Sequence, residues 1–225
     1  MDVKGFKVNF LGDSITEGAG VCDVANCRYD NRIAKMLELS VVNNYSVSGS
    51  RLAHQSRPSA NPKYDLTFCG RAYAMDTSAD MVIIFGGVND FIHGDAPFGE
   101  IGDKTPDTFC GAIYFLMNYV RETFENKPIV FMAPARFFLR HQVDDLEPSV
   151  HAAKRVPGKP LVDYVDAIIE TAKQFDIKVL DLYRNLGIDP HIPEQFEKFT
   201  TDGLHLNDDG HAILATKLKE FIEAM

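Results

Sequence analysis

The chain has 225 residues, of which 45% are hydrophobic, so it can bury a substantial core, and we expect a single domain over residues 1–225. Its formal net charge of −9 argues against nucleic acid and against an anionic membrane surface, because Lys and Arg in excess bind those partners. We therefore expect a small-molecule partner that is uncharged or cationic. The sequence does not indicate an oligomeric state.

The start of the chain and its cysteines bear on the cellular compartment. The apolar run near the start leads directly into a motif at residues 12–16, which argues against a signal peptide, and no stretch approaches the roughly 20 apolar residues of a membrane helix. The cysteines are few for a disulfide scaffold and lack the paired spacing of a zinc site. They are Cys22, Cys27, Cys69 and Cys110. We expect reduced thiols, packed mostly as small hydrophobic residues, in a cytoplasmic protein.

Five short runs rich in β-branched residues predict strands. They lie at residues 7–11, 41–45, 81–85, 129–132 and 178–182. Each is apolar with little polar alternation, which is typical of strands covered on both faces. Amphipathic helices are predicted from apolar faces that begin at Phe109, Leu161 and Leu214. We expect residues 105–107 to cap the first of these helices and Pro160 to open the second.

Strands that alternate with helices form right-handed crossovers and a parallel sheet. The predicted fold class is therefore α/β, a three-layer α/β/α sandwich around a central, mainly five-stranded parallel sheet. Ligands of such sheets bind beyond the carboxyl ends of the strands, so reactive residues should follow strands. The long connection at residues 134–158 follows the fourth strand and is either a lid or substrate loop or a partly helical surface excursion.

Ser14 follows the first predicted strand, in the run Gly12-Asp13-Ser14-Ile15-Thr16. A serine at a strand-to-helix turn has its hydroxyl at the open edge of the sheet, where it can act as a nucleophile. Taken alone, a serine at such a turn is more often a helix N-cap. The second and third strands are also followed by polar loops.

Gly49 lies in the loop after the second strand, and Asn89 lies after the third. Glycine lets the backbone approach a ligand closely, and a carboxamide can donate to a developing oxyanion without adding charge. Each has a simpler interpretation as well, Gly49 as a turn residue and Asn89 as a cap or an Asx-turn.

Asp202 and His205 stand just ahead of the last amphipathic helix. The glycine between them, Gly203, allows a tight turn that can bring the carboxylate to the imidazole, fix its tautomer and stabilise the imidazolium. A capping aspartate and a surface histidine are the alternative. Because all these features fall on one rim of the predicted sheet, we favour a shared site.

These blocks resemble the SGNH hydrolases, also called the GDSL esterase/lipase family, along almost the whole chain. The resemblance implies a flavodoxin-like SGNH hydrolase fold in which Ser14 is the nucleophile, His205 the general base and Asp202 the residue that orients it. It also implies an oxyanion hole made by the backbone N–H groups of Ser14 and Gly49 and the side-chain amide of Asn89. Three positions depart from the family pattern, namely Ile15, Val88 and Leu206.

The predicted function is a serine ester hydrolase that forms an acyl-enzyme and removes a small acyl group, such as acetyl, from a carbohydrate or similar small ester. No cofactor or metal is expected, because the histidines and acids lack a ligand spacing such as H-E-x-x-H. A lysophospholipase or thioesterase, an O-acyltransferase with the same triad, and a catalytically silent binding domain are the alternatives. Arg51 is either a substrate contact or a solvated arginine, and residues 136–138 either line the pocket or belong to the core.

Overall fold

The computed structural model describes residues 1–140, 143–146 and 158–225. The strands are β1 (Lys7–Gly12), β2 (Val41–Asn44), β3 (Met81–Phe85), β4 (Ile129–Ala133), β5 (Phe138–Leu139), β6 (Val143–Asp144) and β7 (Lys178–Asp181). The shorter helices are α1 (Ser14–Glu17), α2 (Val24–Cys27), α3 (Tyr29–Met36), α4 (Phe68–Arg71), α5 (Val88–Ile92), α8 (Leu182–Asn185) and α9 (Pro193–Phe199). The longer ones are α6 (Phe109–Thr123), α7 (Leu161–Lys173) and α10 (Asp208–Ala224), and single 3₁₀ turns lie at Pro62–Asp65 and Ala72–Ala74.

The central sheet has five parallel strands in the order β2-β1-β3-β4-β7. Helices α6 and α7 cover one face and share a hydrophobic core with it, while α3 and α10 cover the other face around a second core. The predicted three-layer α/β/α sandwich is thereby confirmed, and the five predicted strands agree with the observed ones to within one residue at each end.

The strand order reverses between β1 and β3. The chain passes from β1 to β2 on one side and then returns to place β3 on the other, with Gly12 paired to Phe85 at the carboxyl ends. The loops that leave β1 and β3 therefore open at the same point of the sheet edge. This is the switch point at which open parallel sheets bind their ligands.

Asn9 is the one polar side chain among the fully buried residues of β1. Its amide donates to the carbonyl of Asp76 at 2.9 Å, and its Oδ1 accepts from the Asn43 amide at 3.0 Å. Because both ends of the carboxamide are satisfied, this side chain can lie in the apolar layer without the cost of an unpaired polar group.

The structure differs from the sequence analysis mainly in short elements. Residues 105–107 do not cap α6, because the side chain of Thr108 accepts from the Gly111 N–H and takes that position. Pro160 does precede the first residue of α7, as predicted. Helix α9 and the β5–β6 hairpin were not predicted, since runs of two to seven residues carry little periodicity.

The segment predicted as a lid or substrate loop, residues 134–158, falls partly outside the described residues. Its described parts include β5 and β6, which pair in antiparallel fashion. Phe137 is buried and packs edge-to-face on Phe91, so this residue belongs to the core. The lid function remains a prediction, as does the single domain.

Of the four cysteines, Cys69 and Cys110 are buried, Cys27 is half-buried and Cys22 is exposed, and all four are free thiols. Burial raises the pKa of the Cys69 thiol to about 12, so this group stays protonated and inert. Among the helices that the structure describes, none combines the length and the apolar character that a membrane crossing requires.

Candidate active site

Ser14 is the first residue of α1, at the carboxyl end of β1. The cap of this helix is Asp13, whose carboxylate accepts from the Ile15 N–H at 3.1 Å, so Ser14 is not an N-cap. An N–H group in the first turn of a helix has no acceptor within that helix. The Ser14 side chain and its own backbone N–H are thus both available at the sheet edge.

Ser14, His205 and Asp202 form one line of hydrogen bonds. The Oγ of Ser14 lies 2.9 Å from Nε2 of His205, and Nδ1 of the same imidazole lies 2.7 Å from Oδ2 of Asp202. Asp202 also accepts from the backbone N–H groups of Leu204 and His205 through Oδ1, at 2.9 and 2.7 Å. The structure therefore brings the three predicted catalytic residues into contact.

The pKa shifts within this line follow from its contacts. Burial alone would raise the pKa of Asp202, but hydrogen bonds from the side chain and backbone of His205 outweigh it and hold that pKa at about 2. Burial likewise works to lower the His205 pKa, and the hydrogen bond and charge of Asp202 reverse this and raise it. An ionised Asp202 can only accept, so Nδ1 carries the proton and Nε2 of the neutral imidazole can take the proton of Ser14.

Gly203 allows the tight turn between Asp202 and His205, as the sequence predicted. Its φ is +91°, and a Cβ at this position would collide with the carbonyl oxygen of Phe138. Just after the turn, Asn207 caps α10 by accepting from the Asp209 and Gly210 N–H groups at 3.1 Å each. The turn is thus fixed on one side by the hairpin and on the other by a capped helix.

Asn89 lies in the first turn of α5, and its amide points toward the loop that contains Gly49. Its Nδ2 donates to the carbonyl of Ser50 at 3.1 Å and makes a longer contact of 3.4 Å with Asp13. The cap of α5 is Gly87, so Asn89 is not the cap residue. The structure therefore links Asn89 to the loop of Gly49 on one side and to the residue before Ser14 on the other.

Gly49 has a φ of +74°, the left-handed region that favours glycine, and a Cβ there would collide with the ring of Tyr64. Its loop is drawn to β1 by the N–H of Val47, which donates to the carbonyl of Gly12 at 3.1 Å. The turn interpretation of Gly49 and its predicted place beside Ser14 both fit this geometry.

Two charged residues that the sequence analysis missed support these loops. Asp90 accepts from the Leu52 and Ala53 N–H groups at 2.9 Å each, which ties the second loop to α5. Arg71 donates to the carbonyls of Tyr45 and Gly12 and to the hydroxyl of Ser50, and so joins the ends of β1 and β2. The position of Asp90 directly after Asn89 is a sequence signal that could have revealed its role. Arg71 has no such signal, because it lies far from both loops in the sequence.

His93 was also missed. Its Nε2 lies 3.1 Å from Oδ1 of Asn89, and its ring packs on that of Tyr64 with centroids 5.1 Å apart. Because Oδ1 accepts from His93, the carboxamide is oriented with Nδ2 toward Ser50 and Asp13. A histidine one helical turn after Asn89 is the sequence signal that could have revealed this contact.

Asp13 is a buried carboxyl beside the reacting centre. Burial is the main reason that its pKa is raised to about 6, and the hydrogen bond from Ile15 and the charges of His205 and Arg71 only partly offset this effect. This group therefore titrates well above the range of an ordinary aspartate.

A cavity of about 600 Å³ is bordered by Tyr64 and His93, the neighbours of Gly49 and Asn89. It is lined by Arg51, Arg57, Pro58, Ser59, Ala60, Asn61, Tyr64, His93 and Asp95. Arg51 is only 3% exposed, so it is not a solvated arginine, and its guanidinium donates to Ser59, Asp65 and the Tyr64 carbonyl. This arginine shapes the wall of the cavity, and its contact with a substrate remains a prediction.

A second, much smaller pocket lies among the sequence neighbours of the predicted catalytic residues. It is lined by Ile15, Phe85, Gly86, Val88, Pro134, Ala135, Arg136 and Leu204, and its volume is about 10 Å³. Such a volume holds about one water-sized group. Arg136 of the aromatic segment thus borders a pocket, while its neighbour Phe137 is in the core.

The chain is similar to a known protein family and to several solved structures. The sequence profile of the GDSL-like Lipase/Acylhydrolase family matches residues 10–213. No curated protein matches the chain.

Among solved structures, a protein of Lactobacillus plantarum is 29% identical with a TM-score of 0.81, over 99% of this chain and 98% of that one. The lipase/acylhydrolase of Enterococcus faecalis is 18% identical with a TM-score of 0.60, over 97% and 96% of the two chains. An acetyl xylan esterase is 20% identical with a TM-score of 0.61, over 96% and 99%. The last two likenesses show a common fold.

Proposed function

This chain belongs to the GDSL-like lipase/acylhydrolase family of ester-bond hydrolases, and we propose that it is a serine esterase that removes short acyl groups, above all acetyl, from a carbohydrate or similar small ester. The observation that carries the proposal is the hydrogen-bonded line from Ser14 through His205 to Asp202.

In the proposed reaction, Nε2 of His205 takes the proton of the Ser14 hydroxyl as Oγ attacks the ester carbonyl. Asp202 keeps its charge throughout and stabilises the imidazolium that forms. The imidazolium then gives its proton to the departing alcohol, which leaves an acyl-enzyme on Ser14. Water, deprotonated by His205, releases the acid and restores the serine.

The negative charge of the tetrahedral intermediate is proposed to develop toward the N–H groups of Ser14 and Gly49 and the amide of Asn89. The Nδ2 atom of Asn89 carries two hydrogens. One is used by the carbonyl of Ser50 at 3.1 Å, and the other makes only the 3.4 Å contact with Asp13. This second hydrogen is the one available to an oxyanion, since the hydrogen bond at that position is long and weak.

The small pocket suggests that the acyl group of the substrate is short. Its walls include Ile15, Val88 and Leu204, which directly adjoin Ser14, Asn89 and His205 in sequence. The pocket has space for about one water-sized group, and a longer chain would have to displace buried side chains such as Ile15 and Val88, both 5% exposed.

The larger cavity suggests where the alcohol part of the substrate binds. It begins at Tyr64 and His93, next to the proposed oxyanion hole. Its lining combines an aromatic ring with charged and amide side chains, Arg57, Asn61 and Asp95 among them. Hydroxyl-rich alcohols such as sugars offer donors and acceptors to these groups and a face to the ring, which favours a carbohydrate over a fatty alcohol.

A chain-length series of p-nitrophenyl esters tests this proposal. We expect kcat/KM to be highest for acetate and to fall with each added methylene. Butyrate should be about tenfold slower or more, because every added methylene must be accommodated in a small pocket. A rate that peaks at octanoate or beyond would contradict the short-acyl assignment and favour a lysophospholipase. Rapid acetyl transfer to added sugars in place of hydrolysis would indicate an acyltransferase.

The pH profile provides a further prediction. Only neutral His205 can accept the serine proton, so kcat/KM should fall as pH drops through a His205 pKa that Asp202 has raised above 6.5. The charge of Asp13 contributes to this rise of the His205 pKa.

In Asp13→Asn, which keeps a capping side chain, the His205 limb should move to lower pH, because one of the charges that raise the His205 pKa is removed. In Asp202→Asn the His205 limb should move to lower pH, because the charge that raised the pKa is gone. An acid limb that stays in place in Asp202→Asn would argue against His205 as the base.

A further inference from the structure

A cluster of one histidine and three aspartates lies where the β5–β6 hairpin meets the loop between α8 and α9. It consists of Asp144, Asp145, Asp189 and His191, and it includes neither Ser14 nor His205. We propose that Asp144, Asp145 and His191 bind a divalent transition-metal cation such as Zn²⁺. The proposal does not depend on the esterase activity.

The ligand atoms converge from two segments of the chain. Nε2 of His191 lies 2.9 Å from Oδ1 of Asp144 and 3.2 Å from Oδ1 of Asp145, and the three ligand atoms lie within 4.8 Å of one another. Metal bonds of about 2.1 Å separate neighbouring ligand atoms by roughly 3.0–3.4 Å in octahedral or tetrahedral sites. The observed distances therefore match the edges of a coordination polyhedron that a water molecule can complete.

Asp145 points independently to a cation. Its side chain is fully buried, and its carboxylate meets Nε2 of His191 at 3.2 Å and the backbone N–H of Phe137. Among the described residues, neither oxygen has a hydrogen bond of good geometry. A buried carboxylate without well-formed partners is costly unless a cation compensates it, which makes this carboxylate a candidate metal ligand.

Both ring nitrogens of His191 face carboxylates. Its Nδ1 lies 2.9 Å from Oδ1 of Asp189, which also accepts from the His191 backbone N–H at 3.0 Å. A metal that replaces the proton of Nε2 would therefore find the Nδ1 proton held by a carboxylate, the usual arrangement around metal-bound histidines. Asp189 is therefore a positioning residue in this site.

The charges favour a divalent ion. The fixed cation whose charge acts on both Asp145 and Asp189 is Arg136, whose guanidinium lies over the ring of Tyr183. Among the described residues, the three carboxylates of the cluster therefore outnumber this guanidinium, which acts on Asp145 and Asp189. One imidazole nitrogen with carboxylate oxygens is a donor set that suits Zn²⁺ and neighbouring transition metals.

The proposed ion would join two segments next to the Asp202–His205 turn. The ring of Phe138 in the hairpin packs against that of His191, with ring centroids 5.1 Å apart. The backbone N–H of Phe138 donates to the carbonyl of Gly203 at 3.1 Å. Metal binding is therefore expected to stabilise the folded chain around the turn, since an ion that binds only the folded state raises the unfolding temperature.

The test uses ZnCl₂ titrated into the full chain after removal of metals with a chelator, followed by isothermal titration calorimetry. We expect one equivalent of Zn²⁺ per chain and a higher melting temperature. Asp189→Asn should weaken binding by about 10–100-fold, and His191→Gln and Asp145→Asn should weaken it further. His54→Gln, an exposed histidine outside the cluster, is the matched control and should bind as the wild type does.

Because a cluster variant can lose its fold, Co²⁺ absorption of the wild-type chain provides a second readout. Ligand-field bands that appear with one equivalent of Co²⁺ and disappear on addition of Zn²⁺ would support the site. Saturation without a defined stoichiometry, or unchanged affinity in a folded His191→Gln variant, would overturn it. His191 would then act only as a protonated counter-ion to the aspartates.

Discussion

Replacing Ser14 with alanine is expected to lower kcat for p-nitrophenyl acetate by about 10⁶-fold, the scale of loss when a serine triad is deprived of its nucleophile. Ser14 makes the 2.9 Å contact with Nε2 of His205, and the alanine methyl group can neither attack the carbonyl nor give up a proton. The remaining rate would come from binding and from the oxyanion donors alone.

His205→Ala should cost a similar factor, and the Ser14→Ala/His205→Ala double variant should be no slower than either single one, because the two residues act as a unit. Ser78→Ala is the matched control, an exposed serine just before β3 at the opposite edge of the sheet. A Ser14→Ala enzyme with more than a few per cent of the wild-type rate would refute the assigned nucleophile, provided that Ser78→Ala is fully active.

Replacing Asn89 with alanine is expected to lower kcat by about 10²–10³-fold and to leave KM nearly unchanged, since an oxyanion donor acts mainly in the transition state. The amide of Asn89 is fixed between Ser50 and His93 and can meet the oxyanion without reorganising. Asn185→Ala is a suitable control, because that exposed amide also donates to a backbone carbonyl, at 3.0 Å, but from α8.

The variant Asn89→Asp distinguishes the loss of the hydrogen-bond donor from a change in the size of the side chain. The aspartate keeps the size of the side chain and an oxygen facing His93, but it replaces the donor with a negative charge beside Asp13. We expect this variant to be at least as slow as Asn89→Ala. Melting temperatures of both variants close to that of the wild type would show that the loss is catalytic. An active Asn89→Asp enzyme would exclude the amide as an oxyanion donor.

The sheet and the triad could be predicted from the sequence because their signals are local or repeated. The three inner strands, β1, β3 and β4, are mostly apolar runs of five or six residues, and Asp202, Gly203 and His205 lie within one turn of the chain. Even so, assignment of Ser14 required the other blocks. Its local sequence also fits a helix cap, and the structure shows that Asp13 takes that role.

The supporting residues could not be predicted in the same way, because their partners are distant in sequence. Arg71 contacts Gly12 and Ser50 only after α4 has packed beside β1, and His191 reaches Asp144 only after the hairpin has formed. The environment of Arg51 was not predicted for the same reason, since its burial depends on how the loop through Asp65 folds over it. Long-range burial of charge leaves no periodic pattern to read.

Labelling with a fluorophosphonate, followed by mass spectrometry of the digested protein, tests the assignment of Ser14 most directly. A serine activated by a neutral histidine attacks the phosphorus and keeps the adduct, so we predict one adduct per chain on the peptide that contains Ser14. We also predict that the adduct abolishes esterase activity and that the label is lost in a folded His205→Ala variant. An adduct on another residue, or an unlabelled Ser14 in a chain that hydrolyses p-nitrophenyl acetate, would contradict the account.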